Sequence, residues 1–276
     1  MHHRSLQEDG ALHTSLYTRP AIVLLAAVAL AFVGLGFVMP LRALYAQALG
    51  ASSVEIGLMA TAFLLASFAV TPAMGWLADR IGPRTVLGCS LLTYAGLLAA
   101  YVPVTSPAVL IALRTLEGVC AAGVLTPARA LMNTMAPPER YGEALGLVTT
   151  ASYVGIMAGP AVGTLLASGV GYTPAFLTAS GVLTLTTLAV FLWLPPHTAV
   201  LPHTAAPAPD FASGFTGPLI LAYGLAVVLG WPQGVTPAIW SLYMHDRGAS
   251  LPLIGLSFTT CALAAAALAP WAGRIR

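Results

Sequence analysis

The sequence predicts an all-α polytopic membrane protein, and three observations point there. The 276 residues are 58% hydrophobic and only 7% charged, with mean hydropathy +0.87, whereas a soluble chain carries about 25% charged residues. Apolar runs of roughly 20 residues, the length that crosses a bilayer as a helix, recur along the chain. The end of the chain also repeats its beginning in register. All eleven basic residues are arginine, and the net charge of +2 implies no nucleic-acid partner.

The polar tail 1–19 carries His2, His3 and His13 without metal spacing and reads as solvated. The apolar run from Pro20 to about Leu41 is too long for the core of a cleaved signal peptide and is taken as a retained first span. Further spans are expected to start near residues 54, 84, 106, 143, 173, 216 and 251, eight in all. Cys89, Cys120 and Cys261 fall inside apolar segments and read as small packing residues. No metal site, cofactor or phosphate-binding loop is apparent, so an enzyme is not expected.

Between the second and third segments lies a polar hinge, Gly75-Trp-Leu-Ala-Asp79-Arg80-Ile-Gly82-Pro83-Arg84. Gly82 and Pro83 tighten its turn. Segment 4 carries Arg114 and Glu117 inside an apolar stretch. Three residues apart, they share a helical face and can neutralise each other. A charge at the centre of a span costs about 2.5–3.5 kcal/mol on insertion scales, so it should face a partner or a wet cavity. Either a structural ion pair or a carboxyl that takes up and releases a proton fits. Segment 5 holds Gly155-x-x-x-Gly159-Pro160-x-x-Gly163, a flat face for close helix approach with a Pro that removes one backbone bond.

The stretch 195–215 holds Pro195, Pro196, Pro202, Pro207 and Pro209 and reads as a linker. It divides a six-helix unit, 20–194, from a second unit, 216–276. A shift of 198 residues lays the second unit on the first without a gap. Leu44-Tyr45 meets Leu242-Tyr243, Gly50-Ala51-Ser52 meets Gly248-Ala249-Ser250, Ile56-Gly57-Leu58 meets Ile254-Gly255-Leu256, and Gly75 meets Gly273. Parallel halves of a transporter repeat in this way. The overlay runs out at Arg276, opposite Ala78.

Arg4, Arg19, Arg80, Arg84, Arg140, Arg274 and Arg276 fall on one side of the predicted spans, with Arg129 at the same end of segment 4. Arg42 and Arg247 lie near the other. The positive-inside rule then places the N-terminus in the cytoplasm of a plasma (bacterial inner) membrane. Tyr153, Tyr223, Trp231, Gln233 and Trp240 are the few polar or aromatic residues in helices expected to line a cavity. Each also fits a packing or interfacial role. As a group they suit a lipophilic or weakly polar solute.

The hinge Gly75-x-x-x-Asp79-Arg80-x-Gly82-x-Arg84 resembles the signature of the loop between helices 2 and 3 in the major facilitator superfamily (MFS) of secondary transporters. The run Arg114-x-x-Glu117-Gly118 resembles the family's helix-4 motif, with Glu where Gln often stands. The segment-5 pattern resembles the helix-5 motif of its antiporters, with Thr164 in place of a second glycine. The resemblance covers the chain from about Thr18. It implies an MFS fold with a complete six-helix N-terminal bundle and the first two helices of a second. It also implies proton-coupled efflux by alternating access, with a conformational switch at Asp79 and a helix-5 face packing on helix 8, where Ala264 to Ala267 offer small residues. The partners implied are the bilayer, a small solute and protons. The alternative is a truncated, non-transporting membrane protein, acting at most as a homo-oligomer or a partner-binding subunit.

Overall fold

The computed structural model describes residues 16–196, 221 and 237–260, and within them every regular element is helical. The helices are α1 (Arg19–Phe37), α2 (Leu41–Ala48), α3 (Ser53–Ile81), α4 (Pro83–Ala99), α5 (Pro107–Met135), α6 (Tyr141–Val170) and α7 (Tyr172–Trp193). Beyond the predicted linker come α8 (237–246) and α9 (Leu251–Thr260). Among the described residues, five stretches are long and apolar enough to cross a bilayer: Arg19–Ala48, Ser53–Ile81, Pro107–Met135, Pro138–Val170 and Tyr172–Trp193. The predicted first span is therefore α1 and α2 in sequence, broken at Val38–Pro40. Most of the predicted seventh span lies outside the described residues.

Local sequence explains the helix ends. Ser52 and Glu55 form a capping box on α3, with Glu55 accepting from the Ser52 amide at 2.8 Å. Gly82 is at once the last cap of α3 and the first of α4, with φ +89°. A side chain is disfavoured there, and Pro83 follows at the first helical position. Gly171, also at φ +89°, joins α6 to α7 in the same manner.

The repeat seen in the sequence is repeated in the backbone. Gly50 and Gly248 both have positive φ, +83° and +80°. Gly50 and Ala51 donate to the carbonyls of Gln47 and Ala46, at 2.9 Å each. Gly248 and Ala249 donate to His245 and Met244, at 2.9 and 3.0 Å. The same offset carries the first turn of α3 (Ile56 to Ser52) onto that of α9 (Ile254 to Ser250).

In the bundle α1 packs on α6, α3 on α5, and α4 on both α5 and α7. Its core is apolar, with Leu24, Leu91, Leu98, Leu131, Met132 and Phe176 fully buried. Large apolar residues such as Phe68, Leu165 and Leu185 remain exposed, as expected of helices solvated by lipid.

The hinge is built from the same parts. Arg84 donates from Nε to the carbonyl of Val190 at 3.4 Å and from Nη2 to that of Phe191. It thereby caps the C-terminal carbonyls of α7, where a cation is favoured by the helix dipole. Arg80 lies over the Trp76 ring at 4.2 Å. Gly75 faces Thr126 of α5. Arg84→Ala is expected to cost about 1 kcal/mol and to fray the end of α7. Hydrogen exchange at residues 188–194 should rise while that of α1 is unchanged.

Candidate functional site: a buried Arg–Glu–Arg cluster on an apolar cavity

Glu117 sits ten residues into α5, about 15 Å from that helix's start at 1.5 Å per residue. That is about half the thickness of a bilayer core. Its side chain is fully buried. Arg114 donates from Nη1 to Oε2 at 2.5 Å, which realises the pair expected from the i, i+3 spacing. The second partner was not expected. Arg42, assigned from the sequence to the outer face, turns inward from the first turn of α2 and is only 7% exposed. Its Nη2 donates to Glu117 Oε1 at 3.4 Å and to the Tyr94 hydroxyl at 3.1 Å, and its Nε lies 3.3 Å from Glu117 Oε2. One carboxylate thus holds two guanidiniums from different segments, and Tyr94 brings in α4.

The physical reason for the correction is cost. An arginine on an apolar helix is stable inside the bundle only with a carboxylate to meet it. Glu117 is the one acidic residue placed deep within the apolar segments. The arrangement joins α2, α4 and α5 through charge-assisted bonds, which are stronger than neutral ones.

Arg42, Tyr94 and Arg114 line a cavity of about 320 Å³. Its walls are otherwise apolar, including Phe32, Met59, Phe63 and Ile156, with Pro237 and Ala238 of α8 on one side. The Arg114 guanidinium lies 4.2 Å over the Phe63 ring. Gly118 lets α5 approach the backbone of Phe63 too closely for any side chain.

Two of the five residues expected to line a cavity lie off this one. Tyr153 is 53% exposed on α6 and does not line it; Ile156 does. Trp240 is also off the lining and donates from its indole to Ser257 at 2.8 Å. The helix geometry turns both aromatic rings elsewhere. Tyr223, Trp231 and Gln233 lie outside the described residues.

The segment-5 glycines find a different neighbour from the one implied by the resemblance. Gly155, Gly159 and Gly163 all face α1, packed against the backbones of Ala29, Val33 and Phe37. The adjacent face of α6, with Met157, Pro160 and Thr164, meets α9. Thr259 donates to the Met157 carbonyl at 2.8 Å, and Gly255 leaves no room for a Cβ beside Thr164 and Pro160. The Thr164 hydroxyl folds back on the Pro160 carbonyl at 2.8 Å. Thr164 therefore takes the place of a small residue because Gly255 faces it. Packing of segment 5 on segment 8 is present, through Gly255 and Thr259. Ala264 to Ala267 lie outside the described residues. A further bridge between the repeats joins Gln47 of α2 to Asp246 of α8, at 3.4 Å.

Comparison with known proteins agrees with this architecture. The family model of the Major Facilitator Superfamily matches residues 24–276. An "Uncharacterized MFS-type transporter" of Methanocaldococcus jannaschii is 33% identical over 138 residues, which are 50% of this chain and 36% of that protein. A protein named "Putative multidrug resistance protein MdtD" is 30% identical over 184 residues in both Escherichia coli K12 and Escherichia fergusonii, covering 66% of this chain and 37% of theirs. The chain thus spans little more than a third of the length of these relatives.

Proposed function

Because the chain belongs to the major facilitator superfamily, a family of membrane transporters, we propose that it forms the cavity-bearing part of a proton-coupled secondary transporter of small lipophilic or weakly polar solutes. The observation that carries this reading is the placement of Glu117: fully buried, mid-helix, shared by Arg42 and Arg114, and beside a cavity. Ionised, Glu117 ties α2 to α5. Protonated, it loses its charge, both ion pairs weaken, and α2 is released from α5. A proton taken up on one side of the membrane and lost on the other then biases which way the cavity opens.

The relatives named for multidrug resistance support export as the direction of transport. The arginine distribution supports a cytoplasmic N-terminus in a bacterial inner membrane. In that orientation the contacts of α6 with α9 and of Gln47 with Asp246 lie toward the outer side, and they act as the outer gate. The hinge residues Asp79 and Arg80, on the opposite side, act as the conformational latch. The two units divide at the Pro-rich stretch 195–215.

The test is solute flux in proteoliposomes under an imposed pH gradient. Wild type should drive accumulation against the solute gradient. Glu117→Gln should retain solute exchange at equal concentrations and lose the gradient-driven component by about tenfold or more, the usual scale of a lost coupling charge. Unchanged gradient-driven flux in Glu117→Gln would sink the proton reading. Solute flux by neither form would sink the transport reading.

A further inference from the structure

The cavity carries an unbalanced charge. Two guanidiniums line it, Arg42 and Arg114, against the single carboxylate of Glu117. Among the described residues, no acidic residue is on its lining. Glu55, one residue before the lining residue Ile56, is held at the helix cap by Ser52. The guanidinium donors are also incompletely used. Arg42 Nε is buried and pairs with Glu117 Oε2 at 3.3 Å by charge alone, without a hydrogen bond to any described residue. Among the described residues Arg114 hydrogen-bonds to Glu117 alone and otherwise stacks on Phe63. A guanidinium presents five donors in a planar fork suited to a carboxylate or sulfonate. A net positive charge in an apolar, mid-membrane cavity is costly unless an anion meets it.

We propose that this cavity binds an amphiphilic monoanion, a carboxylate or sulfonate carried on one or two apolar rings. Its acid group is held by Arg42 and Arg114, and its body lies against Phe32, Phe63 and Met59. The volume of about 320 Å³ lies at the small end of the roughly 300–1,000 Å³ of ligand pockets, which limits the body to that size. With the anion bound, two positive and two negative charges balance. A cation adds to the excess, and a neutral solute leaves it uncorrected. This deepens the transport reading given above and rests on it for the role of the cavity, though not for the binding itself.

Radiolabelled naphthalene-2-sulfonate, which stays ionised at all working pH, is titrated onto the protein in lipid nanodiscs by equilibrium dialysis. Saturable binding is expected, competed by 2-naphthoate and not by 2-naphthamide or a naphthyl-trimethylammonium cation. Arg114→Gln should weaken it by about tenfold or more, or ~1.4 kcal/mol. Glu117→Gln removes the competing carboxylate and should strengthen it by a similar factor, a change that a misfolded protein cannot produce. Equal competition by the amide or the cation, or weaker binding in Glu117→Gln, overturns the proposal. Proteoliposome flux of the same four probes separates the two readings. Flux of the amide without binding of the sulfonate defeats the anion site alone. Sulfonate binding without flux of any probe defeats transport alone.

Discussion

Glu117→Ala is expected to lower the stability of the protein by about 3–5 kcal/mol, the largest effect of any single substitution in the cluster. The magnitude is that of breaking a buried ion pair from one side, because the partner charge is left unmet. Here two partners are stranded at once: Arg42, whose side chain is 9% exposed, and Arg114, at 14%. Removal of all three charges should behave differently. Replacing Arg42 and Arg114 with Met and Glu117 with Leu fills the same space without desolvated charge. A buried ionic triad exchanged for apolar residues of similar volume is often neutral or stabilising. Thermal unfolding in one detergent should therefore rank the triple variant at or above wild type and Glu117→Ala far below both. Gradient-driven flux should be lost in both variants. That inversion separates a cluster kept for function from one kept for stability.

Gly163→Leu is expected to have the second large effect. Gly163, Gly159 and Gly155 form the seam on which α6 lies against α1, and a Cβ at Gly159 would stand 2.6 Å from the Phe37 amide nitrogen and the Val33 carbonyl. The obstructing atoms are backbone, so they cannot rotate aside, and the helices must separate. Overpacking of this kind costs typically 1–3 kcal/mol, and more when the backbone must move. Gly169 and Gly146 lie on the same helix with open space around them. Alanine there should leave the melting temperature unchanged or raise it slightly, since Ala is about 1 kcal/mol better than Gly within a helix. A similar loss of melting temperature at Gly163 and Gly169 would contradict the packing described.

The three features that were hardest to anticipate share a dependence on contacts distant in sequence. The helix starts near residues 20, 54, 84, 106, 143, 173 and 251, the turn at Gly82–Pro83 and the 198-residue repeat were legible, because each depends on local composition or self-similarity. The repeat proved legible down to individual backbone bonds, as the matched turns at Gly50 and Gly248 show. Arg114 and Glu117 were legible as a pair for the same reason, since they lie one helical turn apart. Arg42 was not. Its partner is 75 residues away, and an arginine just after an apolar segment reads equally well as an interfacial anchor. The one hint was its setting, Leu41-Arg42-Ala43-Leu44, an arginine with apolar neighbours on both sides. The segment-5 glycines were legible as a close-packing face, yet spacing alone does not say which helix will use it. Tyr153 and Trp240 lie off the cavity lining for a related reason. Residue type marked Tyr153 and Trp240, but the rotation of their helices decides what each side chain meets.

The central proposal is that Glu117 is the proton-carrying group of a transport cycle, and infrared difference spectroscopy tests it most directly. Reconstituted protein is taken through acid pH jumps, and the carbonyl stretch of protonated carboxyl groups is followed in wild type and in Glu117→Gln. The account predicts a band that appears on acidification, shifts when solute is added, and is missing from Glu117→Gln. A spectrum in which the variant and wild type show the same solute-sensitive carboxyl band would contradict it.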